Sequence, residues 1–158
     1  MHSVENVSHR LQISQLLPDA YRNLHALQQS VEKAAAGAGL DPTLIELVKI
    51  RASQLNGCAY CVDKHSHDAR RLGESEQRLY LLPTWRETPF FSAQERAALA
   101  LTEALTRLPH THDVPDDVYD AAVEALTEQQ FAVVAWAATT INAFNRLGVL
   151  GRMSPPTR

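Results

Sequence analysis

The chain has 158 residues, 45% of them apolar and 21% charged, with a net charge of −3. That is enough chain for one domain with a real core. The weak negative charge and the lack of a basic cluster argue against nucleic acid or an anionic membrane as a partner. The start, Met1-His2-Ser3-Val4-Glu5-Asn6, has no apolar secretory core, and no apolar run reaches membrane-spanning length. A cytoplasmic protein is expected, in a compartment where thiols are normally reduced.

In chain order, residues 1–16 read as a polar N-terminal arm with scattered apolar positions. Pro18 suits a first helical turn, and Tyr21, Leu24, Leu27 and Val31 recur at helical spacing until Gly37 or Gly39. Asp41-Pro42 is an N-cap followed by proline at the first helical position. Behind it Leu44, Leu47, Val48, Ala52 and Leu55 form one face of a helix that stops at Asn56-Gly57. Arg51 falls inside this stripe and calls for a carboxylate partner; Glu46 falls outside it and reads, by periodicity alone, as a solvated charge.

A helix is expected from Cys58 to Leu72, with Gly73 as its stop. Ser75 caps a short helix closed by Pro83, and the connector Trp85–Phe91 brings aromatic side chains to plug a gap in the core. Ser92 with Glu95 is a capping box ahead of a long helix marked by Ala97, Ala98, Leu101, Leu105 and Leu108. Pro109-His110-Thr111-His112-Asp113 reads as a solvated loop, and Pro115 opens another helix. Thr127 with Gln130 is a second capping box. The helix behind it is apolar on nearly every side from Phe131 to Ile141, so it should be central in the domain and also meet another subunit. Asn142, Asn145 and Arg146 should end it, Gly148 should cap it, and residues 152–158 should form a loose tail. The sum is a single all-α domain, residues 1–158, a bundle of about seven helices with no strand.

The chemistry lies in Cys58-Ala59-Tyr60-Cys61-Val62-Asp63-Lys64-His65, which holds both cysteines of the chain. At about 100° per residue, Cys61 lies about 60° and His65 about 20° from Cys58 around a helix axis, so the three share one face. A free thiol titrates near ~8.5. The unpaired N–H groups of a first helical turn and a nearby imidazole both favour thiolate. Lowering the pKa by about two units takes roughly 2.7 kcal/mol. The spacing leaves other readings open. Two inert cysteines are one; half of a zinc site is another, although no second Cys pair is present. Val62, not His, follows the second Cys, against a c-type haem, and no βαβ pattern supports a thioredoxin-like domain.

Glu46, the Cys58–Cys61 pair and His65 together resemble the signature of the alkyl hydroperoxidase D (AhpD) family, within the carboxymuconolactone decarboxylase-like superfamily. The likeness continues in Trp85-Arg86, Glu95–Leu99 and Ile141–Leu147. The resemblance implies a stand-alone helical domain, assembled as a trimer or hexamer, with the CxxC at the start of a central helix. It implies a thiol-dependent peroxidase or disulfide oxidoreductase in which Cys61 attacks a hydroperoxide and Cys58 resolves the product. His65 and Glu46 would relay the proton. No metal or cofactor is implied; the expected partners are a small hydroperoxide and a lipoyl-bearing or other dithiol protein as reductant. Tyr60 stands where AhpD carries a second His. A phenol titrating near ~10 can pass a proton but does not hold one as imidazole does. Two other roles share the sequence: a redox sensor that oxidises without turnover, and a decarboxylase-type enzyme with no use for the thiols.

Overall fold

The computed structural model describes residues 9–158, so the first half of the expected N-terminal arm lies outside the described residues. Among the described residues there are nine α-helices: α1 (Ile13–Leu16), α2 (Pro18–Gly37), α3 (Pro42–Asn56), α4 (Ala59–Arg71), α5 (Glu76–Leu81), α6 (Ala93–Thr106), α7 (Leu108–Thr111), α8 (Asp116–Ala125) and α9 (Glu128–Leu150). A 3₁₀ segment, Leu82–Glu87, follows α5, and there is no strand among the described residues. The excess over seven comes from α1 and α7, each four residues long. The latter corrects the loop expected around His110: Pro109 starts a helical turn that His112 ends in the left-handed region, φ 56°. None of these helices is long and apolar enough to cross a membrane.

The capping chemistry explains the boundaries. Asp41 accepts from the Thr43 amide at 2.9 Å to start α3. Ser92–Glu95 and Thr127–Gln130 form complete capping boxes ahead of α6 and α9. Ser75 caps α5 through the Arg78 amide, and Pro83 sits in the 3₁₀ segment that follows rather than closing the chain's helical path. Trp85 and Phe91 from the connector are buried with Leu47, Ile50, Ala69, Leu82 and Leu99, filling the core as expected.

The most enclosed helix is α3, not α9. Every residue from Leu44 to Ser53 is buried, including Glu46, Lys49 and Arg51. Leu44, Ile45 and Val48 join a cluster with α2, α6, α8 and α9, whereas Leu47 and Ile50 join the Trp85 cluster. Helix α9 packs on α2, α3, α4 and α6 but leaves one face open, with Trp136 54% exposed. Arg51 finds its carboxylate: its Nε donates to Glu103 on α6 at 2.8 Å, and Glu103 also accepts from Trp85 Nε1 at 3.0 Å.

The N-terminal segment meets the close of α9. Arg10 donates to the Leu150 carbonyl at 3.2 Å and Gln12 to that of Gly151 at 3.1 Å, satisfying acceptors a helix end leaves open. The tail beyond Arg152 has no helix, and its last residue, Arg158, reaches Asp63 on α4 at 2.6 Å.

Candidate active site

Helix α3 stops because Gly57 adopts the left-handed conformation, φ 70°, which a residue with a Cβ adopts only under strain. The turn lets Cys58 serve as the N-cap of α4, one position earlier than a place in the first turn. Its sulfur accepts from the Cys61 amide at 3.3 Å. Cys58 and Cys61 are joined by a disulfide, with Cα atoms 5.3 Å apart. Both are buried, Cys58 at 2% exposure and Cys61 at 5%. A helix N-terminus aims its unpaired N–H groups at these sulfurs, the arrangement that favours thiolate once the bond is reduced.

His65 lies one turn beyond Cys61 on α4. Its Nδ1 is 2.9 Å from Oε2 of Glu46. A carboxylate accepts only, so Nδ1 carries the hydrogen, and in the neutral ring Nε2 then has the lone pair. The other oxygen of Glu46 accepts from Lys49 Nζ at 3.0 Å, and Lys49 also donates to Glu32 on α2 at 2.6 Å. Burial pushes the Glu46 carboxyl up, but the hydrogen bond from His65 and the charge of Lys49 outweigh it and hold the group below its ordinary value. Glu32 behaves likewise: desolvation raises it, and the bonds from Lys49 and Gln28 more than reverse the effect.

A narrow cavity of about 60 Å³ reaches Cys61 and His65, walled by Tyr21, His25, Tyr60, Lys64, Phe144 and Gly148 among others. In its wall Tyr21 meets His25 edge to face and His25 tilts against Phe144, with ring centres 4.6 and 4.9 Å apart. Burial raises the Tyr21 hydroxyl, Tyr60 adds to the effect, and Lys64 opposes it. A second, wider cavity of about 360 Å³ lies behind the pair, with Glu32, Ile45, Glu46 and Asp68 in its wall. The His65–Glu46 bond therefore stands between two openings, one at Cys61 and one at the carboxylate.

The four expected site residues thus come together: Cys58 with Cys61 as a disulfide, Cys61 with His65 on one cavity, His65 with Glu46 through a hydrogen bond. The surface reading of Glu46 is wrong, because α4 covers that face of α3 and leaves Glu46 only 8% exposed. Sequence reasoning missed or misread three further features. Lys49 is the first. The second is a polar clamp: Asn56 donates to Asn142 at 2.8 Å and Asn145 at 3.0 Å, and Asn145 donates to Ser53 at 2.9 Å. It ties the end of α3, just before the cysteines, to α9. The third is Gly148, which is no cap: α9 continues to Leu150, and a Cβ at Gly148 would lie 2.8 Å from the Cys58 sulfur. Amides at an i, i+3 spacing and a glycine within an apolar helix were the available signals. Glu46, His65 and Asp68 also bring ligand atoms within 4.8 Å of one another. Lysines already take both carboxylates, Lys49 on Glu46 at 3.0 Å and Lys64 on Asp68 at 2.7 Å, so the trio belongs to an ion network.

Comparison with known proteins places the fold. The carboxymuconolactone decarboxylase family profile matches residues 18–104. The uncharacterised protein YdfG of Bacillus subtilis is 37% identical over 143 residues, covering 90% of this chain and 94% of YdfG. The uncharacterised protein YnjA of Escherichia coli is 38% identical over 74 residues, 47% of this chain and 41% of its own length. Among solved structures, ATU0492 of Agrobacterium tumefaciens, a protein of unknown function put forward as the antioxidant defence protein AhpD, superposes with a TM-score of 0.85 at 34% identity, over 94% of this chain and 99% of that one. The debrominase Bmp8, as a cysteine-to-alanine variant in complex with 2,3,4-tribromopyrrole, shares the fold, with a TM-score of 0.78 at 18% identity over 99% and 95% of the two chains. The chain belongs to the carboxymuconolactone decarboxylase family and has the fold of its AhpD-like members.

Proposed function

We propose that this protein is a thiol-dependent peroxidase that reduces organic hydroperoxides through Cys58 and Cys61. The observation that carries the reading is one shared cavity for Cys61 and His65, with Glu46 bonded to the back of the imidazole at 2.9 Å. The antioxidant role put forward for ATU0492, at 34% identity, supports it.

In the reduced protein, Cys61 passes its proton to Nε2 of His65, and the Glu46 carboxylate stabilises the imidazolium that results. The Cys61 thiolate attacks the terminal oxygen of the hydroperoxide; the O–O bond breaks, the sulfur becomes a sulfenic acid, and the alkoxide takes the proton from His65. The Cys58 thiol then displaces water from the sulfenic acid to form the disulfide. A dithiol, free or carried on a lipoyl-bearing protein, returns both sulfurs to thiols and is itself oxidised. The amide of Cys61 favours negative charge on the Cys58 sulfur, so electrostatics alone favours Cys58 as the thiolate. Access supports Cys61: it lines the cavity, whereas Cys58 lies beneath Gly148. The working form is a homo-oligomer, which would cover the apolar face around Trp136, and the protein acts in the cytoplasm.

The test is a free-thiol count on reduced protein before and after an equimolar amount of cumene hydroperoxide, with Cys58→Ser and Cys61→Ser alongside. Loss of both thiols in the wild type, a trapped sulfenic acid in Cys58→Ser and no reaction at Cys58 in Cys61→Ser is the expected pattern. Persistence of both thiols removes the peroxidase reading. A decarboxylase-type activity that survives both substitutions would replace it.

A further inference from the structure

Lys49 is a cation almost wholly enclosed by protein, its side chain 4% exposed, and nothing in a proton relay from Cys61 through His65 to Glu46 requires it. Its ammonium sits between two carboxylates from different helices, 2.6 Å from Glu32 on α2 and 3.0 Å from Glu46 on α3. The far oxygen of Glu46 is the one bonded to His65, so the carboxylate plane is fixed from two sides. The neighbouring elements add further groups. Helix α4 presents His65, Asp68, which Lys64 pairs at 2.7 Å, and Arg71, 4.0 Å from Asp68 on the cavity that Glu32 and Glu46 line. Helix α2 adds the neutral Gln28 and, with Tyr60 and Lys64 of α4, places Tyr21 and His25 on the Cys61 cavity; α9 presents Ala137, Thr140 and Ile141.

We infer that Lys49 is a positioning residue for the thiol site: clamped by Glu32, it keeps Glu46 ionised and aims its second oxygen at His65. The inference deepens the peroxidase reading and rests on it for its consequence. The charge count explains the arrangement. Glu32, Lys49, Glu46 and a protonated His65 sum to zero, so the network is balanced when His65 has taken the thiol proton. Remove the ammonium and two carboxylates, one buried and one half-exposed, face each other; one of them then binds a proton at ordinary pH, as in paired acidic sites. The more enclosed partner, Glu46, is the one that does so, and a neutral Glu46 no longer steadies the imidazolium. Remove Glu32 instead and the ammonium is left to Glu46 alone, which offsets the negative charge that His65 needs. Either loss makes the Cys61 thiolate harder to form, while removing Lys49 and Glu32 together returns the count to zero.

The test reads the thiol directly. In a Cys58→Ser background, the rate of iodoacetamide alkylation of Cys61 is followed against pH for Lys49→Met, Lys49→Arg, Glu32→Gln and the Lys49→Met/Glu32→Gln pair, with folding checked by circular dichroism. Lys49→Met is expected to raise the midpoint by about one pH unit, roughly a tenfold loss of thiolate at neutral pH. Glu32→Gln raises it by less, Lys49→Arg leaves it near the parent, and the paired variant falls back toward the parent. That return is a coupling that lost packing does not produce. An unmoved midpoint in folded Lys49→Met overturns the inference, as does a Lys49→Met displacement that neither Arg nor Glu32→Gln relieves. If Lys49→Met does not fold, Glu32→Gln decides alone, because Glu32 is half-exposed: a parental midpoint there refutes the clamp. No peroxide enters the assay. A parent whose thiol ignores hydroperoxide yet shows this cycle refutes the peroxidase reading and leaves the positioning role standing.

Discussion

Glu46 divides its two oxygens between a base and a cation, and each bond depends on the group being ionised. Replacing it with Gln keeps the shape and removes the charge that an imidazolium at His65 needs. Glu46→Gln is therefore expected to slow peroxide-driven thiol loss by about a hundredfold, the lower range for a positioned proton-transfer group, with little change in the final disulfide yield. Stopped-flow thiol consumption measures this, and a rate within twofold of wild type would remove Glu46 from the relay. The depressed carboxyls also predict acid behaviour. A carboxyl whose folded pKa lies below its unfolded value adds stability above the unfolded value and loses it as pH falls through the folded one. Glu46 and Glu103 are both held below the ordinary 4.5: burial opposes, but the hydrogen bond from His65 and the charge of Lys49 prevail at Glu46, and the hydrogen bonds from Arg51, Arg86 and Trp85 at Glu103. The melting temperature should thus hold through mildly acidic pH and fall below that ordinary value, with a shallower fall in Glu46→Gln. Why Glu46 was unreadable from its own helix is now plain. A helical wheel reports only the stripe of α3, and the cover over Glu46 comes from α4, after an intervening turn. The family likeness supplied what periodicity lacked. Nothing supplied Lys49, because a lysine between Val48 and Ile50 reads as an ordinary flanking charge.

Helix ends and helix crossings set the thiol geometry. The caps were legible because their chemistry is local: Asp41-Pro42, Ser92–Glu95 and Thr127–Gln130 each mark a start within four residues. The crossing of α9 over α4 was not, because it depends on what is absent from Gly148. There the two helices approach until a Cβ would meet the Cys58 sulfur at 2.8 Å. The same glycine looks like a stop signal in the sequence, and the polar pair Asn142 and Asn145 strengthened that impression. In the fold those amides hold Asn56 and Ser53 of α3, so polarity there marks an attachment of α9 to α3 rather than a helix end. Gly148→Ala gives a prediction whose sign depends on redox state. Alanine favours a helix interior by about 1 kcal/mol over glycine. In the dithiol form the Cys58 side chain can rotate away and the protein should keep or gain stability. In the disulfide form the sulfur is tethered to Cys61 and must be displaced, so stability should fall. Thermal melts of both forms test this: the oxidised-minus-reduced difference should be smaller than in wild type, and an equal rise in both forms would mean that the contact relaxes freely.

At the scale of the molecule, the odd feature is a tryptophan in water on the most apolar helix. Trp136 is 54% exposed, at the rim of a groove of about 290 Å³ between α2 and α9 that Leu27, Val31, Ala34, Ala132 and Val133 also line. A helix apolar on nearly every side is expected to serve the core and a subunit contact together, and the fold packs it on α2, α3, α4 and α6 while leaving this face open. Its occupant is proposed to be a second copy of the chain. A tryptophan flanked by small side chains is the kind of anchor that dominates an interface, since it buries much area at little entropic cost. The groove uses the α2–α9 seam away from the sulfurs, so assembly and thiol chemistry should separate. Light scattering on the wild type should give a multiple of the 17.5 kDa chain mass, and Trp136→Glu should move it toward a single chain. A charge buried without a partner costs several kcal/mol, enough to dissociate an interface centred on it. Cys61 alkylation in that variant should stay near wild type if the cavity is complete within one chain. A wild type of single-chain mass rules out the oligomer. An undiminished assembly in Trp136→Glu places the subunit contact on another face, and a dissociated variant with an unreactive Cys61 means that a neighbouring copy completes the site.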